Sequence, residues 1–464
     1  MNLEPNFETY EINNTINKFG NKKAFIQFLQ QNILEFLHCE QRKDMIIGEQ
    51  YYIGNHDILK RKRTIIGQDG NIEMINNLPN NKIVDNQYAR IVDQKNSYLL
   101  SKPMTIYCDD EKFMENFQNI FKKSFYRLIK NIGEDAINCG IAWLYIFINE
   151  QGNIDFKRFK PYEVLPIWAD EEHSILDCLL RIYNIEKYEN SQKKIVTQVE
   201  LYTKNGIQYY IFENNKLILD LSKDFKPYLY NSLNFPLSWD NIPIISFKFN
   251  SKEIPLIKRV KTLQDSLNTI RSDFMNNMQE DARNTILILK NYDGTNLSEF
   301  RKNLSEYGVV KVKTIDGSEG GVEALKINID SNNYEILAKA LKKAIIENAR
   351  GYDCKDEKMG QNPNQMNIQS AYADIDLDAN LMETEFQASF ELLFDFIKKY
   401  FTYIYKKDFN NINIDVIFNK DILINETEAI NNCVKSIGII SNETIIGKHP
   451  WISNIKQELN KMKK

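Results

Sequence analysis

The chain has 464 residues, of which 43% are hydrophobic and 26% charged, and its formal net charge at pH 7 is −4. This composition is typical of a folded protein and excludes global disorder, while the length favours about two to four domains or one elongated subunit of an assembly. The negative net charge argues against a protein that binds nucleic acid tightly over a broad basic surface, because such surfaces neutralise phosphates with Lys and Arg.

The sequence carries no sign of a membrane or an oxidising compartment. No apolar run approaches the length that spans a bilayer, and the N-terminal stretch MNLEPNFETYEINN lacks the basic-then-apolar order of a signal peptide. The six cysteines are scattered and include no CxxC pair. We therefore predict reduced thiols, a cytosolic place of folding and no membrane partner.

The first half of the chain combines helical and strand patterns. A helix is predicted from Lys22 to Ile47, a second opens at Asn80 or Asn81, and a further helical region covers about 111–139. From residue 143 to residue 249, short apolar runs separated by Gly, Asn and Asp predict about eight mostly antiparallel strands. The first 249 residues therefore read as one α+β domain.

Two helical stripes then flank a small module. The first stripe lies within 253–283 and the second runs from Tyr334 to Ile345, so the two helices could pack as an antiparallel pair. The intervening module is predicted as strand, helix, strand and strand, in the order Ile286–Leu289, Leu297–Tyr307, Val309–Lys313 and Ala324–Ile327. A module of this size is too small for a large core of its own, which suggests completion by neighbouring copies.

A polar break, GYDCKDEKMGQNPNQM, separates the second stripe from a much longer helix. Asn367 is predicted as the N-cap of that helix, and its apolar stripe extends from Tyr372 to Phe401. Such a helix is roughly 50 Å long, which suggests that it crosses between domains or subunits. Its acids Asp374, Asp376 and Asp378 imitate part of a calcium loop, but Ala379 stands where the loop needs glycine. They are therefore interpreted as acidic first turns that the helix dipole favours.

After the long helix, INIDVIFN predicts a strand, and two or three short helices follow, one of them starting at Ser441. No phosphate-binding GxxxxGK[ST] loop occurs, nor does a GxGxxG, HExxH or GxSxG motif. The four histidines are far apart and have no ligands at metal-binding spacing. The sequence thus predicts no enzyme, no catalytic residue, no cofactor and no metal site.

The order of these elements resembles that of the portal proteins of tailed double-stranded-DNA phages. Four stretches carry the resemblance, in the family's order: NNKIVDNQYARIVDQKNSYLLSKP at 80–103; IPIISFKFN before LIKRVKTLQDSLNTIRSDFMNN; NPNQMNIQSAYADIDLDANLMETEFQASFELL at 363–393; and INIDVIFNKDILINETEAI with GIISNETIIGKHPWI. The resemblance covers nearly the whole chain.

The resemblance implies an α+β portal fold with an α/β wing, a two-helix stem, a small α/β clip, a tunnel loop with a long following helix, and a helical crown. On this chain the expected divisions are a wing at 1–252 to which 367–425 returns, stem helices at 253–283 and 329–350, a clip at 284–328, a tunnel loop at 351–366 and a crown at 426–464.

The resemblance also implies where functional residues lie. The stem and tunnel loop would face DNA through Lys339, Lys342, Lys343, Arg350, Lys355, Lys358, Asn362, Asn364 and Gln365. The clip would bind partner proteins through Arg301, Lys302, Lys311, Lys313 and Glu319. For Lys355 and Lys358, a solvated loop without DNA contact is the competing interpretation, since short charge runs usually mean only solvation.

By the same resemblance, the protein would form a ring, usually of about twelve subunits, at one vertex of the capsid, after assembly in the host cytoplasm. Its partners would be double-stranded DNA, held non-specifically and transiently, the terminase large subunit, head-completion or adaptor proteins, and the major capsid and scaffolding proteins. Two alternatives remain open: a DNA-processing enzyme or accessory subunit with metal-binding acids, and another phage head–tail component.

Overall fold

The computed structural model of the chain describes residues 22–66, 70–74, 78–108, 110–189, 192–230, 236–281, 286–290, 296, 321–325, 331–353, 365–420, 425–452 and 462. The chain divides into two compact units. The larger unit comprises 1–54, 86–261 and 346–464, and the smaller comprises 55–85 and 262–345. The predicted wing, 1–252, thus includes a stretch that groups with the smaller unit, and the six-part division of the chain stays a prediction.

Helices and strands both contribute, as the α+β prediction requires. The helices are α1 (Lys22–His38), α2 (Glu40–Tyr52), α3 (Gln87–Leu100), α4 (Glu111–Gln118), α5 (Lys123–Cys139), α6 (Ile257–Asp281), α7 (Ser331–Asn348), α8 (Gln365–Tyr405), α9 (Glu426–Lys435) and α10 (Asn442–Lys448). Short 3-10 helices lie at Asp57–Lys60 and Pro161–Glu163.

The strands are β1 (Thr64–Ile66), β2 (Ile72–Met74), β3 (Thr105–Cys108), β4 (Ile141–Ile148), β5 (Ile154–Phe159), β6 (Val164–Trp168), β7 (Leu176–Glu189), β8 (Gln192–Thr203), β9 (Gly206–Glu213), β10 (Lys216–Leu219), β11 (Leu229–Tyr230), β12 (Pro236–Leu237), β13 (Ile244–Lys248), β14 (Ile286–Lys290), β15 (Gly321–Leu325) and β16 (Ile414–Ile417). In the larger unit, an antiparallel sheet of order β10-β9-β8-β7-β6 lies beside a sheet of order β13-β4-β5, and β16 pairs with β3.

Strand β4 lies at the centre of the larger unit. Its first six residues are all buried, because one face of its sheet packs on the neighbouring sheet and the other on helices. Trp143 stacks on Trp168 at a centroid distance of 5.8 Å, whereas Phe247 of the adjacent strand meets Phe386 of α8 at 5.0 Å. Burial on both faces explains why the sequence of β4 is apolar throughout rather than alternating.

Several predicted helix boundaries were wrong. The helix expected from Lys22 to Ile47 breaks at Cys39, whose sulfur accepts a hydrogen bond from the Arg42 amide and so begins a new helix. The helical region predicted at about 111–139 is confirmed and consists of two helices, α4 and α5. Helix α8 begins at Gln365, so the expected N-cap at Asn367 lies inside it, whereas the predicted start at Ser441 is confirmed by its hydrogen bond from the Thr444 amide.

Other predictions on the helical stripes and the small module were confirmed. The stripe of α8 is buried from Ile375 to Phe401, and α6 contacts α7 where the rings of Phe274 and Tyr334 lie 5.1 Å apart. Strand β14 confirms the strand predicted at Ile286–Leu289, and it pairs with β15. The strand predicted at Ala324–Ile327 overlaps β15 but begins three residues too late, and residues 326–327 lie outside the described residues. The predicted helix Leu297–Tyr307 and strand Val309–Lys313 lie outside the described residues.

A polar ladder in the smaller unit explains why the helix predicted from Asn80 or Asn81 begins only at Gln87. Backbone amides of alternate residues donate to side chains spaced by four on α6: Asn81 to Asn276, Ile83 to Ser272 and Asp85 to Asn268, at 2.7, 2.9 and 3.0 Å. Two extended residues advance about 6.6 Å, and four helical residues advance about 6.0 Å, so the two repeats match. The segment is therefore held extended along α6.

Asn268 is the most connected side chain of this ladder. It is fully buried, accepts from the Asp85 amide and from Gln264 Nε2, and its Nδ2 lies 2.8 Å from Nδ1 of the buried His56. Replacing it would leave buried polar groups without a hydrogen-bond partner. A buried polar group without a partner destabilises a protein more than an apolar group in the same place.

We expect Asn268→Ala to destabilise the smaller unit by about 2–3 kcal/mol because the Asp85 amide and His56 lose their partner. Hydrogen exchange measured by mass spectrometry should accelerate in the peptide 78–86. Thr269→Ala, at an exposed position one residue further along α6, is the control. Equal exchange in the two variants would contradict the ladder.

Candidate functional site: the anchor of the 351–366 segment

The polar break that separates α7 from α8 begins next to a buried carboxylate that belongs to α8. Asp378 of α8 is 3% exposed and is surrounded by three cations: Lys95 of α3 at 2.9 Å, Arg259 of α6 at 2.7 Å and Arg350 after α7 at 2.9 Å. Asp376, two residues earlier on α8, is more exposed and accepts hydrogen bonds from Lys420 and Tyr98. The interpretation of Asp374, Asp376 and Asp378 as first-turn acids favoured by the helix dipole is wrong, because α8 begins at Gln365 and the three lie in its third and fourth turns.

The charges around Asp378 do not cancel. Burial raises the pKa of the Asp378 carboxyl, but Lys95 and Arg259 beside it outweigh burial and hold the pKa below its usual range. Burial, together with the neighbouring guanidinium groups, lowers the pKa of Lys95 to about 8 even though Asp378 opposes the shift. Asp378 is thus ionised at neutral pH, and Lys95 is the cation of the cluster that deprotonates most readily.

Helix α3 also holds the backbone that leads into the break. The Gln94 side chain donates to the Tyr352 carbonyl at 2.8 Å and accepts from the Tyr352 amide at 2.9 Å, as a neighbouring strand would. Lys95 Nζ donates to the Arg350 carbonyl at 3.0 Å. Arg350 adopts a left-handed backbone conformation with φ of +50°, which is uncommon for a residue with a side chain and ends the helix sharply.

Aromatic stacking joins this point to the start of α8. The ring of Tyr352 stacks on Tyr372 at 4.5 Å, and Tyr372 stacks in turn on Tyr98 of α3 at 5.6 Å. Arg90 adds an ion pair to Asp353 at 3.5 Å. Residues on both sides of the break are therefore fixed to the same helix, α3.

The predicted DNA-facing residues are distributed as follows. In the smaller unit, Lys339 pairs with Glu335 at 2.8 Å, Lys342 pairs with Asp85 at 3.0 Å, and Lys343 is exposed. In the larger unit, Arg350 is 44% exposed and neutralises Asp378.

The side chains of the other predicted site residues lie outside the part of the chain that the structure describes. Gln365 is the first residue of α8. The remaining loop residues, Lys355, Lys358, Asn362 and Asn364, and all five clip residues, Arg301, Lys302, Lys311, Lys313 and Glu319, lie outside the described residues.

Sequence reasoning missed Asp378 as the centre of an ion cluster, and it missed Lys95. One signal was present: Lys95 lies on the apolar stripe of α3, between Val92 and Leu99. A lysine at a core position requires a buried acid or a chain of hydrogen bonds, because an unpaired buried charge is very unfavourable.

Among the described residues, no helix combines the length and apolar character of a membrane span. Within the same residues, no cluster of three or more His, Cys, Asp or Glu side chains has the arrangement of a metal site.

We expect Asp378→Ala to destabilise the larger unit by about 3–5 kcal/mol, because it leaves the buried Lys95 and the partly exposed Arg259 and Arg350 without their counter-charge. Thermal unfolding should shift to lower temperature, and amide exchange at 349–353 should accelerate, since Arg350 and Lys95 lose their common partner. Asp374→Ala, which removes an exposed acid of the same helix, is the control. Unchanged exchange at 349–353 in Asp378→Ala would contradict the anchoring role.

Residues 35–464 match the family described as "Phage portal protein, SPP1 Gp6-like". The portal protein of Bacillus phage SPP1 is 26% identical over 421 residues, which cover 89% of this chain and 82% of that protein. The portal protein of Clostridium phage phiCD119 is 28% identical over 433 residues, covering 90% of this chain and 91% of that protein. These matches confirm the resemblance, and the chain belongs to the SPP1 Gp6-like family of phage portal proteins.

Proposed function

We propose that this member of the portal family forms a ring of about twelve subunits at one capsid vertex, through which DNA is packaged and later ejected. The role is a structural one, in keeping with the family. The ring would be assembled in the host cytoplasm and become part of the virion. The alternative of a DNA-processing enzyme finds no support in the site described above.

The observation that carries this proposal is the anchoring of the 351–366 segment at both ends. Tyr352 and Tyr372 stack on each other, and the first turns of α8 from Gln365 to Tyr372 advance about 10 Å. Eleven residues, 354–364, join the two anchored ends. Their contour far exceeds a gap of that size, since an extended residue spans about 3.3 Å. We infer that this segment is the tunnel loop, supported by a rigid base.

Charge favours transient contact with DNA over tight binding. A net charge of −4 per subunit becomes −48 in a twelve-membered ring, which repels DNA except where cations are concentrated. Lys339 and Lys342 already have acidic partners, and Arg350 belongs to the Asp378 cluster. We therefore assign the weak contact to the exposed Lys343 and to Lys355 and Lys358, with Asn362, Asn364 and Gln365 beside the last two.

Partner proteins are assigned to the clip. Strands β14 and β15 pair over five residues, from Ile286 with Leu325 to Lys290 with Gly321, and so bring together the two ends of the segment 291–320. We propose that this segment meets the terminase large subunit and, afterwards, the head-completion or adaptor proteins. The major capsid and scaffolding proteins would contact the ring elsewhere.

Native mass spectrometry of the purified chain tests the ring directly. We expect a closed assembly of about twelve copies and, in negative-stain images, particles with a central hole. A chain that stayed monomeric at every salt concentration would contradict the proposal, and metal-dependent DNA cleavage abolished by Asp356→Ala would favour the enzyme instead.

We expect Lys355→Glu with Lys358→Glu to leave ring assembly intact but to reduce DNA packaging by at least roughly tenfold, because the loop then repels phosphates. The measurement is nuclease-protected DNA per head when each variant replaces the wild-type portal in infected cells. Lys355→Arg with Lys358→Arg keeps the charge and should package normally. Loss of rings in the glutamate variant would show that the loop is structural.

A further inference from the structure

A groove with basic edges lies in the larger unit, away from the anchor of the 351–366 segment. Its volume is about 740 Å³, and it is bounded by the start of α5, the turn between β4 and β5, and the end of α8. Its lining includes the cations Lys122 and Arg127, one acid, Asp155, the rings of Tyr400 and Tyr405, and several amide side chains such as that of Asn153. The groove thus offers cations, hydrogen-bond donors and aromatic rings together.

The basic edge is a local departure from an acidic chain. Residues 116–131 contain four cations and no acid: Lys122, Lys123, Arg127 and Lys130. All four are exposed, and no acid among the described residues forms an ion pair with them. Exposed cations concentrated at the start of one helix, with no ion-pair partner in the part of the chain that the structure describes, favour an acidic partner from outside the chain.

Helix α8 carries the complementary surface. From Gln365 to Ile397 it has seven acids and no basic residue. Three of them, Asp376, Asp378 and Glu383, are neutralised by cations of the larger unit. The remaining four are Asp374, Glu385, Glu391 and Asp395, and the last pairs with Lys398, three residues along the same helix.

Leucines accompany these acids. Leu377, Leu381 and Leu392 are 53%, 50% and 39% exposed, although a helix with one buried face does not need a second apolar stripe. We call the surface formed by these leucines and the four acids the outer face of α8. Its acids and leucines match the cations and the aromatic and aliphatic side chains of the groove.

The outer face and the groove lie on roughly opposite sides of α8. At about 100° per residue, Leu377, Leu381 and Leu392 point together, and Tyr400 and Ile404, which line the groove, point about 80–180° away from them. One chain therefore cannot place its own outer face in its own groove. Two different, complementary surfaces on opposite sides are what a head-to-tail interface requires, and such an interface closes into a ring when the rotation is right.

We propose that the outer face of α8 in one subunit docks in the basic groove of the next subunit. The inference rests on the ring under "Proposed function" and specifies one of its contacts. The mode is that of an amphipathic helix laid in a groove, with leucines against the aromatic rings and carboxylates against Lys122 and Arg127. The electrostatic part of this contact sets register and partner choice more than raw affinity.

Charge reversal tests the contact. Lys122→Glu with Arg127→Glu makes the groove acidic, and Glu385→Lys with Glu391→Lys makes the outer face basic. At about 100 mM salt, each double variant should lose at least roughly tenfold of its ring fraction by native mass spectrometry, because like charges then face each other. The quadruple variant, in which both surfaces are reversed, should recover rings. Lys204→Glu with Lys216→Glu, an equal charge change at exposed positions elsewhere, should assemble as the wild type does.

Mixing the two double variants gives a sharper result. The groove variant has an acidic groove and an unchanged, acidic outer face, whereas the outer-face variant has a basic outer face and an unchanged, basic groove. Opposite charges therefore face each other at every contact only where the two variants alternate around the ring. We therefore expect mixed rings that contain equal numbers of both variants. Carbodiimide, which joins lysine to carboxylate without a spacer, should link Lys123 or Lys130 to Glu385 or Glu391 between isotope-labelled and unlabelled wild-type subunits.

The outcomes separate this inference from the proposed function. A wild-type chain that never forms rings contradicts both. Wild-type rings together with undiminished rings in both double variants contradict the docking alone, as does a failure of the mixed variants to assemble. If the groove variant assembles normally but binds DNA more weakly than the Lys204→Glu, Lys216→Glu control, the groove binds nucleic acid and the docking is overturned.

Discussion

Burial of the Asp378 carboxylate constrains how four segments of the larger unit meet. A carboxylate removed from water is unfavourable by several kcal/mol unless other groups replace its hydration. Three cations replace the hydration of Asp378: Lys95 of α3, Arg259 at the start of α6 and Arg350 just after α7. Because each partner comes from a different segment, the cluster is complete only when all four segments are in place. The excess of positive charge is tolerated because the pKa of Lys95 is lowered to about 8, so that Lys95 can lose its proton at a small cost in free energy.

The sequence predicted continuous, periodic features well and local boundaries poorly. The stripe of α8 was correct over its whole length because residues spaced by three or four must share a face of any helix. The start of α3 was wrong because side chains of α6, about 190 positions away in sequence, hold residues 81–85 extended. The helical periodicity of a short stretch contains no information about side chains so distant in the sequence, even when those side chains bind its backbone.

The candidate site was located from the sequence, but its chemistry was not. The polar break and Arg350 were identified, whereas Asp378, the partner of Arg350 on α8, was interpreted as an acid of the first turns of the helix. Asp378 lies 28 positions from Arg350 and 283 from Lys95, so only the fold brings the three together. The Gln94 contact with Tyr352 is of the same kind, since 258 positions separate the two residues.

The same cluster also determines what α8 can present to a neighbour. Neutralisation of Asp376, Asp378 and Glu383 within the chain leaves the other acids of the helix on its outer face. Two subunits that paired these outer faces by twofold symmetry would set carboxylates against carboxylates, which is destabilising. An acidic face can instead meet the cations of α5, which lie across the helix. Electrostatics on α8 therefore disfavour a twofold dimer and favour a head-to-tail contact, the symmetry that allows a ring to close around a channel.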